Sequence, residues 1–367
     1  MSKEELFLSA IDRYSQLGMS HQVDYDKFYL YSLITHSTAI EGSTVTEVEN
    51  QLLFDEGIAA KGRSMTEQLM NLDLKAAYQE SIACARRHDD FSVELLQRLS
   101  ALVMKNTGTV YNTLLGSFDS SKGDLRLVNV TAGAGGASYM NFKKVPDRLK
   151  LFCEQMNERR KALLQATDAT ILDKYLLSFD AHYLLVTIHP WVDGNGRMAR
   201  LIMNHLQFEF GLIPTKVNKD NKGAYIQSLI DSREQESLAP FRTFMLEEHT
   251  TNLMKEVEKQ QKSEEADLIN ITLDPINVSA NDKINDKIND KIKLSDKEAA
   301  ILHLVADEPS ITYPNIAGKL SISVPTISRA VARFLDEGII VRQGSKKTGH
   351  WELTEKGRIC MAEFRNN

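Results

Sequence analysis

The sequence predicts a mainly α protein, a helical bundle interrupted by one β-hairpin and followed by a separate small domain of three helices and a second hairpin. Three observations carry this. Apolar residues recur at helical spacing, with few Gly or Pro, through residues 1–110. Residues 117–142, SFDSSKGDLRLVNVTAGAGGASYMNF, then break the pattern with Gly, Ser, Asn and a short β-prone run at 125–131. After a repetitive stretch, a fresh helix-start signal appears at Ser295.

At 367 residues the chain has room for two or three domains. Its net charge of −6 argues against a wholly nucleic-acid-coating or membrane-surface protein. Cys84, Cys153 and Cys360 are far apart, odd in number and at no metal-ligand spacing, so a reducing cytoplasm is the expected setting. The beginning, MSKEELFLSAIDRYSQ, is charged throughout, and neither a signal peptide nor a membrane-spanning helix is expected.

Taken in order, residues 1–110 are expected to form an N-terminal helical region and 111–255 a core domain. Ser37 and Glu41, four apart, share a helix face; alone, such a pair is commonly solvated surface. The Gly-rich stretch reads as a hairpin with a loose tip at 132–137, and Val145-Pro146-Asp147 suits the start of the next helix. Residues 171–188 place Leu172, Tyr175, Leu176, Phe179 and Val186 near helical spacing, which delivers His189 at a C-terminal end where Pro190 stops the helix. His182 has no carboxylate or thiol cluster around it and reads as structural. A further helix runs over 197–210 until Gly211. The helical pattern fades over 254–265, and 256–294 is expected to link the domains. Its repeat NDKINDKINDK aligns Ile284, Ile288 and Ile292 in a narrow stripe that suits either a weak self-association helix or a solvated spacer, of which the spacer is the preferred reading.

The densest chemistry lies in 189–200, HPWVDGNGRMAR. Gly194 and Gly196 permit a sharp turn and close approach of backbone to a ligand, and free amides at the following helix start bind anions. Gly194, Asn195 and Gly196 are therefore candidates for a phosphate nest. Arg197 and Arg200, three apart, suit two phosphate groups. Asp193 suits Mg²⁺, which keeps most of its waters and takes one or two carboxylates plus substrate phosphates. His189 suits a general base because its ordinary pKa lies near working pH. These residues describe a phosphate site at a helix-loop-helix joint.

The motif resembles the signature of the Fic family, His-x-Phe-x-Asp/Glu-Gly-Asn-Gly-Arg-x-x-Arg, with Trp191 where the family usually has Phe. The resemblance covers roughly residues 30–250 and implies a Fic-type bundle with a β-hairpin flap. It implies protein adenylyltransferase activity, in which AMP passes from ATP to a Ser, Thr or Tyr hydroxyl of a target protein or of the chain itself. In that reading His189 is the catalytic base. Asp193 with Mg²⁺, Gly194, Asn195, Gly196, Arg197 and Arg200 hold ATP, and Tyr225 lies near the adenine. Ala224 stands where the family commonly has a second tyrosine.

Residues 37–42, Ser-Thr-Ala-Ile-Glu-Gly, match the family's inhibitory pattern Ser/Thr-x-x-x-Glu-Gly/Asn. By that resemblance Glu41, with Ser37 beside it, reaches Arg200 and takes the place of the γ-phosphate, a carboxylate competing for one guanidinium fork. Residues 123–142 resemble the flap, opening with the pattern Gly123-Asp124-x-Arg126. Val130 and Thr131 would add backbone hydrogen bonds to a target's extended segment. Related Fic proteins that phosphorylate carry a Lys-containing variant of Gly-Asn-Gly, absent here. Removal of AMP from modified targets by the same residues is the second enzymatic reading, and a homodimer is a further implication.

Residues 295–367 open with Ser295 three before Glu298, a capping box. Helices are expected at about 314–320 and 324–338, then a run at 339–342, the loop GSKKTGH and a run at 351–354. This order resembles a winged helix-turn-helix. Thr326, Ser328 and Arg329 would face DNA, with Arg333, Lys346 and Lys347 supplying positive charge for phosphates. Such domains also dock proteins. A nucleotide-sensing DNA-binding regulator is therefore the reading from a different class.

Overall fold

The computed structural model describes residues 2–17, 25–132, 136–273, 295–309, 311, 313–320, 322, 324–343, 350–354, 356–358 and 361. The chain divides into two compact units, Met1–Pro275 and Ile276–Asn367.

The first unit opens with α1 (Lys3–Gln16), α2 (Tyr25–Ile40), α3 (Glu47–Glu56), α4 (Met65–Arg86) and α5 (Val93–Val103). Reciprocal capping boxes start three of them: Ser2 with Glu5, Thr46 with Glu49 and Ser64 with Glu67. Each satisfies first-turn amides that have no partner within the helix. Gly57, at φ 70°, ends α3 in the left-handed conformation.

Strands β1 (Val110–Thr113) and β2 (Gly116–Asp119) then pair antiparallel, with Tyr111 opposite Phe118. The regular hairpin thus straddles the start of the 117–142 stretch instead of forming around its Gly-rich tip, and 125–131 is not a strand. Arg126 is the reason. Its backbone N–H donates to the Pro190 carbonyl at 3.1 Å, so this stretch is tied to the 189–200 loop instead of to a neighbouring strand. Among the described residues the arms pair backbone to backbone at their far ends, through a Thr131–Ser138 bridge and donation from the Tyr139 N–H to the Val130 carbonyl and from the Ala132 N–H to the Ala137 carbonyl, each at 3.0 Å.

Helices α6 (Val145–Gln165), α7 (Ile171–Ile188), α8 (Asn195–Glu209), α9 (Lys222–Glu234) and α10 (Ala239–Leu273) complete the unit. Helix α10 runs straight through 254–265 and into the expected linker. Leu253 and Val257 are fully buried, and Glu256 accepts a hydrogen bond from the Tyr14 hydroxyl of α1, so packing against α1 continues the helix. Residues 274–294, with the isoleucine stripe, lie outside the described residues.

Helix α8 sits at the centre, between α7 and α4. Leu201, Ile202, Met203 and Leu206 are fully buried, and so is its polar side. Tyr78 donates to Asn204 Oδ1 at 2.6 Å, Gln207 binds Ser178 and Thr215, and His205 meets Ser81 at 3.0 Å. Buried polar groups without partners cost free energy, and these partners pin α8 rotationally. The start of α8 is thereby fixed, and with it the 189–200 loop.

The second unit comprises α11 (Asp296–Asp307), α12 (Tyr313–Leu320), α13 (Val324–Asp336), β3 (Ile340–Gln343) and β4 (His350–Leu353). The Ser295–Glu298 capping box is formed. The β3–β4 pair is antiparallel, with Arg342 opposite Trp351, and Ile301, Ile316, Val331 and Phe334 are buried together with Trp351. Among the described residues of both units, no helix is long and apolar enough to cross a membrane.

Candidate active site

His189 ends α7 at φ 52°, a left-handed conformation uncommon outside glycine, which turns the chain sharply into Pro190. Gly194, at φ 78°, then begins α8 without a side-chain cap. That conformation favours glycine, and a Cβ there, 2.8 Å from Met104 Sδ, would also have to displace the methionine side chain. The first amides of α8 have no acceptor within the helix, an arrangement that can hold an anion.

Asn195 contributes to that end by its backbone only. Its side chain accepts from the Trp191 N–H at 3.1 Å and donates to the Trp191 carbonyl at 2.9 Å, stapling the loop from inside. Trp191 is fully buried, and its indole N–H donates to the Gly123 carbonyl at 3.0 Å, a bond phenylalanine could not make.

Arg200, buried in α8, points at the turn after α2. Its Nη2 donates to Glu41 Oε1 at 2.6 Å and to the Ser37 carbonyl at 3.0 Å, and its Nε donates to Ser37 Oγ at 2.8 Å. A Cβ on Gly196 would stand 2.6 Å from Glu41 Oε1, so that glycine makes room for the carboxylate. Burial pushes the Glu41 carboxyl up, but Arg200, with Arg197 and Lys222 nearby, more than offsets it and leaves the group below its ordinary range. Glu41 is charged at neutral pH and occupies the fork.

Arg197 is also buried, donating to the Val103 carbonyl at 3.3 Å, while its Nε has no partner. Asp193 is exposed at 64 % of its side chain and stands 3.8 Å from Arg197 Nη2. No group of three or more His, Cys, Asp or Glu side chains gathers as a metal cage among the described residues. A lone exposed carboxylate beside an anion-binding helix start does fit Mg²⁺ shared with substrate phosphates.

At His189, Nδ1 faces the Val186 carbonyl at 3.3 Å, which leaves Nε2 as the lone-pair nitrogen. Burial is the main cause that lowers this imidazole to about 4; Arg126 and Arg233 push the same way, and the Val186 bond and Asp193 oppose them. It is neutral, as a base must be.

Arg126 was visible in the sequence only as part of a pattern, without a role. Fully buried, its guanidinium donates to the carbonyls of His189 at 2.7 Å, Val128 at 2.7 Å and Met140 at 2.5 Å, tying both arms of the 123–142 stretch to the 189–200 loop. Tyr139 was missed altogether. Its ring stacks on His189 with centroids 3.7 Å apart, and the only sequence signal was a lone aromatic in a run of small residues. Val130 and Thr131 lie in the opposing arm.

Tyr225 lies beside Arg200 in the packed interior. Only 2 % exposed, it offers no open face to a base; its hydroxyl meets His182 at 2.9 Å and accepts from Arg200 Nη1 at 3.4 Å. It packs behind Arg200 because Phe241 and Phe244 surround the ring. His182 is a core residue through the same bond and a stack on Phe241.

In the second unit, Arg333 is not a free cation: Glu298 and Glu337 each accept from it at 2.7 Å, so its charge is spent within the domain. Thr326 is half-buried on α13. Lys346 and Lys347, and the side chains of Ser328 and Arg329, lie outside the described residues.

Comparison with known proteins agrees with this geometry. Residues 90–207 match the Fic/DOC family, and residues 294–341 match a winged helix-turn-helix DNA-binding family. The protein adenylyltransferase fic-1 of Caenorhabditis elegans is 23 % identical over 206 residues, 56 % of this chain and 36 % of that protein. The protein adenylyltransferase Fic of Drosophila melanogaster is 27 % identical over 215 residues, 58 % of this chain and 39 % of that protein. The chain thus spans well under half the length of these curated relatives. Among solved structures, Fic-1 of C. elegans superposes with a TM-score of 0.55 at 20 % identity, covering 71 % of this chain and 73 % of that one. A Fic family protein from Desulfovibrio desulfuricans gives 0.54 at 17 % identity and covers 96 % of this chain and 97 % of that one. The chain therefore carries a Fic/DOC domain built around the 189–200 loop, followed by a winged helix-turn-helix domain.

Proposed function

We propose that this protein is an adenylyltransferase that moves AMP from ATP to a hydroxyl of a target protein, and that Glu41 holds it inactive. The observation that carries the reading is the placement of a neutral histidine, an uncapped helix start and the Glu41-occupied guanidinium of Arg200 around one loop. The curated relatives named protein adenylyltransferase support the same chemistry.

His189 Nε2 takes the hydroxyl proton as the hydroxyl oxygen bonds to the α-phosphorus. The bond from that phosphorus to the bridging oxygen breaks, and pyrophosphate leaves. The amides of Asn195, Gly196 and Arg197 stabilise the phosphate oxygens, where fixed dipoles need no reorganisation. Arg197 balances charge as pyrophosphate departs, and Arg200 takes the terminal phosphate once Glu41 has moved away. Asp193 is the residue that would hold Mg²⁺, which when bound supplies charge neutralisation between phosphates.

The test compares wild type, Glu41→Gly and Glu41→Gly/His189→Ala with ATP labelled on the α-phosphate, Mg²⁺ and candidate targets, scoring label on all proteins. Strong labelling by Glu41→Gly, weak labelling by wild type and none by the double variant supports the reading. Equal labelling by all three overturns it.

For the second unit we infer DNA contact through α13, supported by the family match over residues 294–341. Fluorescence anisotropy with duplex DNA should show affinity that falls steeply with salt, since phosphate contacts release counterions. Salt-independent or absent binding would leave a protein-docking role.

A further inference from the structure

Tyr139, in the second arm of the 123–142 stretch, lies against His189 nearly ring to ring, with centroids 3.7 Å apart and planes 16° from parallel. Over the same tyrosine stands the Arg233 guanidinium of α9, 5.3 Å from the ring centroid. Tyr139 is itself held in place, since its N–H donates to the Val130 carbonyl at 3.0 Å and the next residue's carbonyl, Met140, accepts from Arg126. Three chain segments distant in sequence therefore converge on one imidazole.

The geometry has a chemical consequence. A histidine acts as a base through an in-plane lone pair, so a partner stacked on its face leaves Nε2 open while fixing the plane in which Nε2 points. On the opposite edge, Nδ1 has only the 3.3 Å contact with the Val186 carbonyl, a long bond that restrains rotation weakly. The stack supplies the restraint that this bond lacks, and the arginine over the tyrosine adds a cation–π contact that holds the stack closed.

We propose that Tyr139 is a positioning residue for the transfer reaction: through its ring, not its hydroxyl, it holds the imidazole plane of His189 in the orientation that receives the acceptor's proton. This rests on the adenylyltransferase reading. It also makes the flap part of the catalytic geometry, beyond any role in docking a target segment. The charged groups acting on His189 are Arg126 from the first arm, Arg233 from α9 and Asp193 from the loop.

The experiment uses the full chain carrying Glu41→Gly, alone and with Tyr139→Phe or Tyr139→Ala. Two readouts are taken: steady-state AMP transfer, and the titration and tautomer of His189 by ¹⁵N and ¹³C NMR of labelled histidine, assigned by comparison with His189→Ala. For Tyr139→Ala, kcat should fall about 10- to 100-fold with KM for ATP changed by less than about threefold, because misorientation of a base costs rate and not nucleotide binding. The His189 midpoint should move up toward its ordinary value and its preference for the Nδ1–H tautomer should weaken. Tyr139→Phe should restore both readouts. Unchanged kcat and midpoint in Tyr139→Ala, or a Tyr139→Phe form as impaired as Tyr139→Ala, would overturn the proposal. If the Glu41→Gly parent transfers no AMP, the adenylyltransferase reading fails separately, and the NMR comparison still decides whether the stack controls the ring.

Discussion

Arg200 and Glu41, 159 positions apart in the chain, meet at 2.6 Å beside the first turns of α8. Ser37 completes the clasp by accepting through both its hydroxyl and its carbonyl. A guanidinium so occupied has little left to offer a phosphate, and the carboxylate that occupies it is only one-third exposed.

The clasp predicts an order among variants. Ser37→Ala removes the Nε partner but leaves the Ser37 carbonyl and Glu41 in place, whereas Glu41→Gly removes the competing charge itself. AMP transfer should rise in the order wild type, Ser37→Ala, Glu41→Gly, with the last step at least about tenfold, since a charge-assisted hydrogen bond is worth about 1.5–3 kcal/mol. Initial rates at fixed ATP check it.

Trp191 makes a different prediction. Phenylalanine there keeps the apolar filling but leaves the buried Gly123 carbonyl without its 3.0 Å donor, at a cost of about 1–3 kcal/mol. Trp191→Phe should lower the urea midpoint accordingly, with the transfer rate of the Glu41→Gly form changing less than about threefold.

Gly123 is the other half of that contact. At φ 75° it sits where L side chains are strained, and a Cβ would lie 2.0 Å from the Gln97 carbonyl oxygen, part of a helix backbone with no room to yield. Gly123→Ala should cost more than about 2 kcal/mol, since the strain and the clash add. Thermal denaturation followed by circular dichroism measures it.

Two pH dependences follow from buried histidines. His189 is lowered to about 4, chiefly by burial, so the acid limb of kcat/KM should fall near pH 4 and not near the ordinary histidine value of about 6.5. For stability, burial lowers His205 and His249 to about 3. Between about pH 6.5 and 3 the unfolded chain binds protons at these sites and the folded chain does not. Their contribution is complete above the unfolded value and is lost as pH falls toward 3. Urea midpoints should drop from pH 7.5 to pH 5, and His249→Gln should flatten that drop.

The 189–200 loop was legible in the sequence because its chemistry is contiguous: turn glycines, base, carboxylate and arginines announce one another. A helix was legible where a capping box marks its start, as at Ser295. Contacts set by tertiary placement were not. Nothing local to Arg126 says that its guanidinium will bind the His189 carbonyl 63 residues away, or that its backbone N–H will bind the Pro190 carbonyl, the attachment that displaced the expected strand. Asn195 and Tyr225 carry the residue types that suit a nucleotide, yet packing turned one side chain to staple its own loop and buried the other behind Arg200. Likewise, charge counting could not see that Arg333 is engaged by Glu298 and Glu337.

The central claim is that Glu41 denies Arg200 to the terminal phosphate of ATP, and comparing ATP with ADP tests it without a target protein. Calorimetric titration of wild type and Glu41→Gly with each nucleotide in Mg²⁺ should show near-equal affinities for ATP and ADP in wild type. In Glu41→Gly, ATP should bind about tenfold or more tighter than ADP, as expected for one regained charge-assisted contact. An equal preference for ATP in both proteins would mean that Arg200 already serves the terminal phosphate with Glu41 present, and would contradict the account.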